Sequence, residues 1–281
     1  ALLGYGIFLQ PTAVQPVGVL NEEGYRAYGA FAALIMGGSI LASALGTHGH
    51  IAHLRRPPQR LPSVAATLGE LRTTFANRSF RAILASGLFA AMAAGLLSSL
   101  GIYFNTYFWE LTSTDILKIV LGNFLSAAVA LVAAPRLGRL LGKKRAALGT
   151  AVAAVTIGPL PIVLRLAGLF PENGSAALLP LLFAFNAVSV TLIITMSILT
   201  ASMIADVVED NEVNTGQRSE GVFFAANSFV QKCVSGTGVF LSTILLNTIG
   251  FPDDARPGEV DGEVVRRLGT VFLPVLFVLY A

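Results

Sequence analysis

The stretch Leu178-Leu-Pro-Leu-Leu-Phe-Ala-Phe-Asn-Ala-Val-Ser-Val-Thr-Leu-Ile-Ile-Thr-Met-Ser-Ile-Leu199 carries no charged residue and is apolar on all sides. As a helix it spans roughly 33 Å at 1.5 Å per residue, enough to cross a hydrocarbon layer roughly 30 Å thick. The period-2 alternation of a membrane barrel strand is absent. A backbone in lipid must satisfy its own hydrogen bonds, so the stretch reads as a membrane helix.

Working outward, similar apolar segments run from Ala1 to about Val19, Ala27 to Leu45, Ala82 to Phe108, Ile116 to Ala134 and Ala146 to Leu169. The opening stretch belongs to a segment from Ala176 to Ile204; a further one runs from Val222 to Ile249, and Leu268 to Ala281 begins an eighth. Of 281 residues, 54% are hydrophobic and 12% charged, with mean hydropathy +0.71, which excludes a soluble globular domain. The blockwise apolar pattern excludes disordered, collagen-like and disulfide-scaffold classes as well. Cys233 is the lone cysteine and has no disulfide partner within the chain. The expected fold is all-α, a polytopic membrane protein. Both ends fall within apolar runs, so the chain is expected to be truncated at each, and no secretory signal pattern precedes the first run.

Basic residues set the orientation. Arg55, Arg56, Arg60, Arg72, Arg78 and Arg81 follow the second segment, and Arg136, Arg139, Lys143, Lys144 and Arg145 follow the fourth. Both connections fall on one side by parity, which is therefore cytoplasmic. The acidic connection holding Asp206, Glu209, Asp210, Glu212 and Glu220 falls on that side too, so an ion-pair latch to the Arg136–Arg145 loop is expected there. In the connection from His50 to Arg81, Pro57 and Pro58 interrupt any helix. Val64, Ala65, Leu68, Leu71 and Phe75 then follow at helical spacing, as in a surface-lying amphipathic helix. Pro159 and Pro161 should break the fifth segment.

Lys232 is the strongest functional signal. It lies ten residues into its segment, about 15 Å, near the middle of the hydrocarbon layer. A lysine there costs at least about 2.5 kcal/mol on an insertion scale, so it is expected to face a water-filled or protein-lined cavity. Asn227, Ser228, Gln231 and Ser235 gather beside it in one polar stripe. The alternative is a lysine that pairs with a carboxylate on a helix outside this chain and only locks the bundle. The aromatic run Tyr103, Phe104, Tyr107, Phe108, Trp109 reads as an interfacial belt, with sugar stacking as its sharper alternative. His48, His50 and His53 lack a nearby cysteine or carboxylate, so no metal site is assigned. No phosphate loop, Gly-x-Ser-x-Gly or His-Glu-x-x-His occurs, and an enzyme is not expected.

The stretch Ala201-Ser-Met-Ile-Ala-Asp206-Val-Val-Glu-Asp210-Asn-Glu212, then Thr215-Gly-Gln-Arg-Ser-Glu-Gly221 and Asn227-Ser-Phe-Val-Gln-Lys232, resembles the tenth and eleventh helices of the glycoside-pentoside-hexuronide:cation symporters. This is the melibiose-permease-like branch of the major facilitator superfamily. Gly46-Thr47-His48 and Arg136-Leu-Gly-Arg139 with Gly142-Lys143 also resemble that family.

The resemblance implies a major facilitator type helical bundle, present from the end of helix five to the start of helix twelve. Residues 1–50 would end the amino-terminal half, 51–81 form a cytoplasmic linker, and 82–281 form the carboxy-terminal half. It implies cation-coupled symport, by sodium or proton, of a sugar or glycoside across the inner (cytoplasmic) membrane. Lys232, Asn227, Ser228 and Gln231 would bind solute, while Asp206, Asp210, Arg218, Arg136 and Arg139 would form a cytoplasmic gating network. No cofactor, metal or nucleic-acid partner is implied, and the coupling cation would bind mainly in the amino-terminal half. The alternatives are a lysolipid or other non-sugar carrier of the superfamily, or a non-transporting remnant.

Overall fold

The computed structural model describes residues 4–12, 18–50, 69, 76, 78–215, 220–252 and 255–280. Among these, all regular structure is helical: α1 Glu22–His48, α2 Arg78–Tyr103, α3 Ser113–Leu141, α4 Lys143–Ile157, α5 Leu160–Leu166, α6 Leu178–Thr215, α7 Glu220–Ile249 and α8 Gly262–Tyr280. Among the described residues, six stretches are long and apolar enough to cross a membrane: Glu22–His48, Arg78–Phe108, Ser113–Leu141, Lys143–Leu166, Leu178–Val213 and Phe224–Ile249. The fold is a multi-pass helical bundle. The helix expected around Val64 to Phe75 lies outside the described residues.

The chain divides into two compact units. One comprises Ala1–Leu68 with Thr112–Leu117, the other Gly69–Leu111 with Lys118–Ala281. In the first, the apolar segment expected from Ala1 departs from a spanning helix. Gly4–Phe8 is a single π turn, after which Gln10, Pro11 and Thr12 are non-helical; Pro11 has no N–H to continue a helix. Asn21 caps α1 by accepting a hydrogen bond from the Gly24 N–H at 3.2 Å, with Glu22 and Glu23 favourably placed in the first turn.

The second unit is built on two helix pairs, α2 with α7 and α4 with α6. Helices α2 and α7 run parallel, since Gly87 neighbours Asn227 and Gly95 neighbours Ser235, eight residues further along each. They meet at Gly95 and Gly238, where a Cβ on either would overlap a backbone carbonyl of the other helix. Only a missing side chain lets lipid-embedded backbones approach so closely. At one end of the unit, Phe80 of α2, Ile204 and Val208 of α6 and Phe224 of α7 share an apolar cluster. Beside it, Ala134 of α3, Ala146 of α4 and Leu199 of α6 form a second. This is the end that carries the basic connection Arg136–Arg145, the one expected from charge to be cytoplasmic.

Gly142 joins α3 to α4 with φ 79°, a left-handed turn that suits glycine. As expected, the fifth apolar segment breaks: α4 ends at Ile157, and α5 starts after Pro159.

At the opposite, outer end the aromatic run departs from a lipid-facing belt. Helix α2 passes into a π turn, Phe104–Phe108, closed by the Trp109 N–H donating to the Phe104 carbonyl at 2.9 Å. Phe104, Phe108 and Trp109 are buried. Phe104 packs on Phe272 of α8 at 4.8 Å between ring centroids, and Trp109 on Phe170 at 5.5 Å. Tyr103 and Tyr107 meet Phe251 edge-on, and the Tyr107 hydroxyl donates to the Ala255 carbonyl at 3.1 Å. The rings pack inward on α8, where Phe272 meets Phe104 and Gly269 lies beside Phe108.

Candidate functional site

Lys232 lies on α7 eight residues beyond Phe224, about 12 Å outward from the cytoplasmic-end cluster. Its side chain is exposed on this chain, and its ammonium has no carboxylate partner among the described residues. The structure divides the polar stripe. Asn227 is half-buried beside Gly87 of α2 and accepts a long hydrogen bond, 3.4 Å, from Gln231 Nε2. Ser235 turns its carbonyl toward Gly95, and its hydroxyl donates to the Lys232 carbonyl at 2.9 Å.

The α2-facing side of α7 is marked by Asn227, Ser235 and Gly238, and Lys232 lies about 100° around the helix from its centre. Ser228 and Lys232, both exposed, therefore flank the seam, whereas Asn227 and Ser235 border it. What the arrangement offers is one ammonium donor on an uncovered helix face, with carboxamides within two turns.

The charge network centres on Asp206 near the cytoplasmic end of α6. Both of its carboxylate oxygens accept hydrogen bonds from Lys143 Nζ, at 2.6 and 2.7 Å. The cause is local: Gly142 turns the chain so that Lys143 opens α4, and Ala146 and Ala147 pack on Leu199 to bring α4 against the end of α6. Arg136 and Arg139 are exposed on α3, without a carboxylate partner among the described residues, and Asp210 is exposed further along α6. Arg218 lies outside the described residues. The basic partner of Asp206 is thus Lys143, rather than either arginine singled out from the sequence.

Two features went unnoticed in the sequence. A cavity of about 450 Å³ at the outer end is lined by Arg165, Gly168, Phe170, Glu172 and Asn173. Arg165 donates there to the Pro171 carbonyl at 2.7 Å and to Asn173 Oδ1 at 3.2 Å, and Asn173 Nδ2 donates to the Phe108 carbonyl. These bonds hold the α5–α6 loop to the end of the π turn, so Arg165 acts as a fastener whose guanidinium is already engaged. The cavity is remote from Lys232. The second is a carboxamide pair between α3 and α6, in which Asn186 Nδ2 donates to Asn123 Oδ1 at 2.7 Å. In sequence each is a lone asparagine in an apolar run; only their 63-residue pairing makes them conspicuous.

Residues 2–281 match the family described as MFS/sugar transport protein, where MFS denotes the major facilitator superfamily. The chain is 29% identical over 239 residues to the uncharacterized symporter sll1374 of a Synechocystis species, an alignment covering 82% of this chain and 42% of that protein. It is 25% identical over 261 residues to the uncharacterized symporter YjmB of Bacillus subtilis, covering 89% and 51% respectively. The chain spans about half the length of the curated relatives it matches. Its multi-pass helices and a match that runs almost from end to end lead to one conclusion: the chain belongs to the MFS/sugar transport protein family, a family of membrane transporters rather than enzymes.

Proposed function

We propose that this chain is part of a secondary active transporter that couples entry of a sugar or glycoside to a sodium ion or proton and works by alternating access. The observation that carries the reading is Lys232, an ammonium about 12 Å in from the cytoplasmic-end cluster with no carboxylate beside it among the described residues. A charge at that depth is retained where it meets water, solute or a compensating group. The family's description as sugar transport proteins supports sugar as the solute class, and the naming of both relatives as symporters supports symport. Lys232, Asn227, Ser228 and Gln231 are the proposed solute contacts. The coupling cation is assigned to the amino-terminal half that the family resemblance implies.

The test is uptake into proteoliposomes of radiolabelled D-glucose, D-xylose, D-glucuronate and lactose under an imposed sodium or proton gradient. Concentration of one of them above the outside level, abolished when the gradient is collapsed, is the expected result. Uptake of labelled lysophosphatidylcholine in place of every sugar would identify a lipid carrier instead. No uptake of either would leave the remnant reading standing.

The Lys143–Asp206 pair is proposed as an inner latch, closed in the state seen here. Both side chains are about half exposed, so the pair contributes no more than about 1 kcal/mol to stability. Its effect belongs to the balance between states. Asp206→Lys should therefore lower the initial uptake rate severalfold while barely moving the melting temperature, and Lys143→Asp combined with Asp206→Lys should restore much of it. A double variant no faster than Asp206→Lys alone would count against the latch.

A further inference from the structure

We infer that Asn123 of α3 and Asn186 of α6 form a second solute station, in the outer half of the membrane, that binds vicinal hydroxyls of a polyhydroxylated solute. The inference rests on the transport reading and adds a site to it. Asn186 lies eight residues into α6 from its outer end and Asn123 ten residues into α3, placing the pair about 12–15 Å deep. Asn186 lies 18 residues along α6 from Ile204 of the cytoplasmic-end cluster, about 27 Å, whereas Lys232 lies about 12 Å from Phe224 of that cluster, so the pair sits roughly 15 Å further out than Lys232.

Hydrogen-bonding capacity makes the case. Two carboxamides carry four N–H donors and two carbonyl acceptors. The Asn186 Nδ2 to Asn123 Oδ1 bond engages one N–H and one acceptor. Three donors and the Asn186 carbonyl remain without partners among the described residues. Most hydroxyls on the same helices behave differently, the buried Ser189 hydroxyl of α6 being an exception without a partner among the described residues. Ser126 donates to the Gly122 carbonyl, Thr191 to Ala187, Thr195 to Thr191 and Ser197 to Ile193, each satisfied within its own helix. Both asparagines are half-buried rather than sealed, so their remaining groups are reachable. Unpartnered amides facing acyl chains would be strongly unfavourable, so the pair favours a polar neighbour, a place that the hydroxyls of a solute can fill.

Planar carboxamides with donors in excess and one acceptor complement neighbouring hydroxyls on a sugar ring, each of which both donates and accepts. An acyl chain offers neither. Nearby packing holds the pair in place: Phe183 of α6 covers Gly122 of α3, and the Thr191 hydroxyl reaches the Ser126 carbonyl at 3.4 Å.

The test uses proteoliposomes and whichever of the four labelled sugars the wild-type protein accumulates. Asn123→Leu combined with Asn186→Leu replaces the pair by apolar groups of similar size. The expected result is a KM raised at least about tenfold with an unchanged melting temperature, the loss of two hydrogen bonds to a ligand. KM within twofold of wild type overturns the station while leaving sugar transport intact. Wild-type protein that accumulates lysophosphatidylcholine and no sugar overturns the transport reading, and the station with it. Should the double variant fail to fold, Asn186→Cys in a Cys233→Ser background gives a second readout. Its reaction with N-ethylmaleimide should slow at saturating concentrations of the same sugar, and an unchanged rate overturns the station.

Discussion

Gly238→Ala should melt roughly 5–10 °C below Gly236→Ala, although the two substitutions are chemically identical and two residues apart on α7. A Cβ at Gly236 meets nothing within 4 Å, whereas one at Gly238 would overlap the Met92 carbonyl oxygen and lie 2.6 Å from the Leu96 nitrogen and 2.9 Å from the Gly95 carbonyl carbon. All three are backbone atoms, so no side chain can swing aside. The helices themselves would have to separate, and forcing atoms into such a contact costs about 1–3 kcal/mol. At Gly236 the same change removes backbone freedom from the unfolded helix and stabilises by about 0.5–1 kcal/mol. Gly95→Ala should resemble Gly238→Ala, because its added carbon would overlap the Ser235 carbonyl oxygen from the other side. Thermal unfolding of the purified variants in one detergent measures the difference. Coincident melting curves for Gly236→Ala and Gly238→Ala would mean that α2 and α7 do not cross where the structure puts them.

That crossing also marks how far the sequence could be read. The membrane-spanning character of α6 was legible because Leu178 to Leu199 contains no charge, and the break before α5 because Pro159 and Pro161 cannot donate backbone hydrogen bonds. The shared side of Asp206 and Lys143 followed from parity and charge, both local properties. Partner choice was not local. Lys143 meets Asp206 because alanines at the start of α4 fit against Leu199, and nothing in the loop itself distinguishes Lys143 from Arg136 or Arg139. Gly95 and Gly238 stand out with Ala90, Ala91, Ala94 and Gly236 as small residues where helices should touch, but spacing alone cannot tell a lipid-facing glycine from one at a seam. The aromatic run was misassigned to a belt for a related reason: burial of Phe104 depends on Phe272, far along the chain. Asn123 and Asn186 show the same limit, for a single polar residue in an apolar run acquires meaning only through its partner on another helix.

Lys232→Met should reduce gradient-driven accumulation of the transported sugar at least about tenfold while leaving the protein as stable as the wild type, or more so. Methionine keeps much of the length and flexibility of lysine and removes the charge. An exposed ammonium at this depth has an insertion cost of at least about 2.5 kcal/mol, and no ion pair among the described residues offsets it, so its removal should not weaken the bundle. A hydrogen bond from an ammonium to a solute oxygen contributes about 1.5–3 kcal/mol, which is tenfold or more in affinity. Lys232→Arg retains the charge but replaces a compact three-donor head with a planar fork, so binding should be weakened and gradient dependence kept. Asn227→Ala, one and a half turns earlier and beside Gly87, should raise KM by a smaller factor, because a neutral hydrogen bond contributes less. Uptake and melting temperature must be measured together, since each separates a different explanation. A lysine that merely extends along the lipid surface to reach water would give a methionine variant with normal accumulation and a higher melting temperature. That pair of results would remove Lys232 from the pathway and take the solute site on α7 with it.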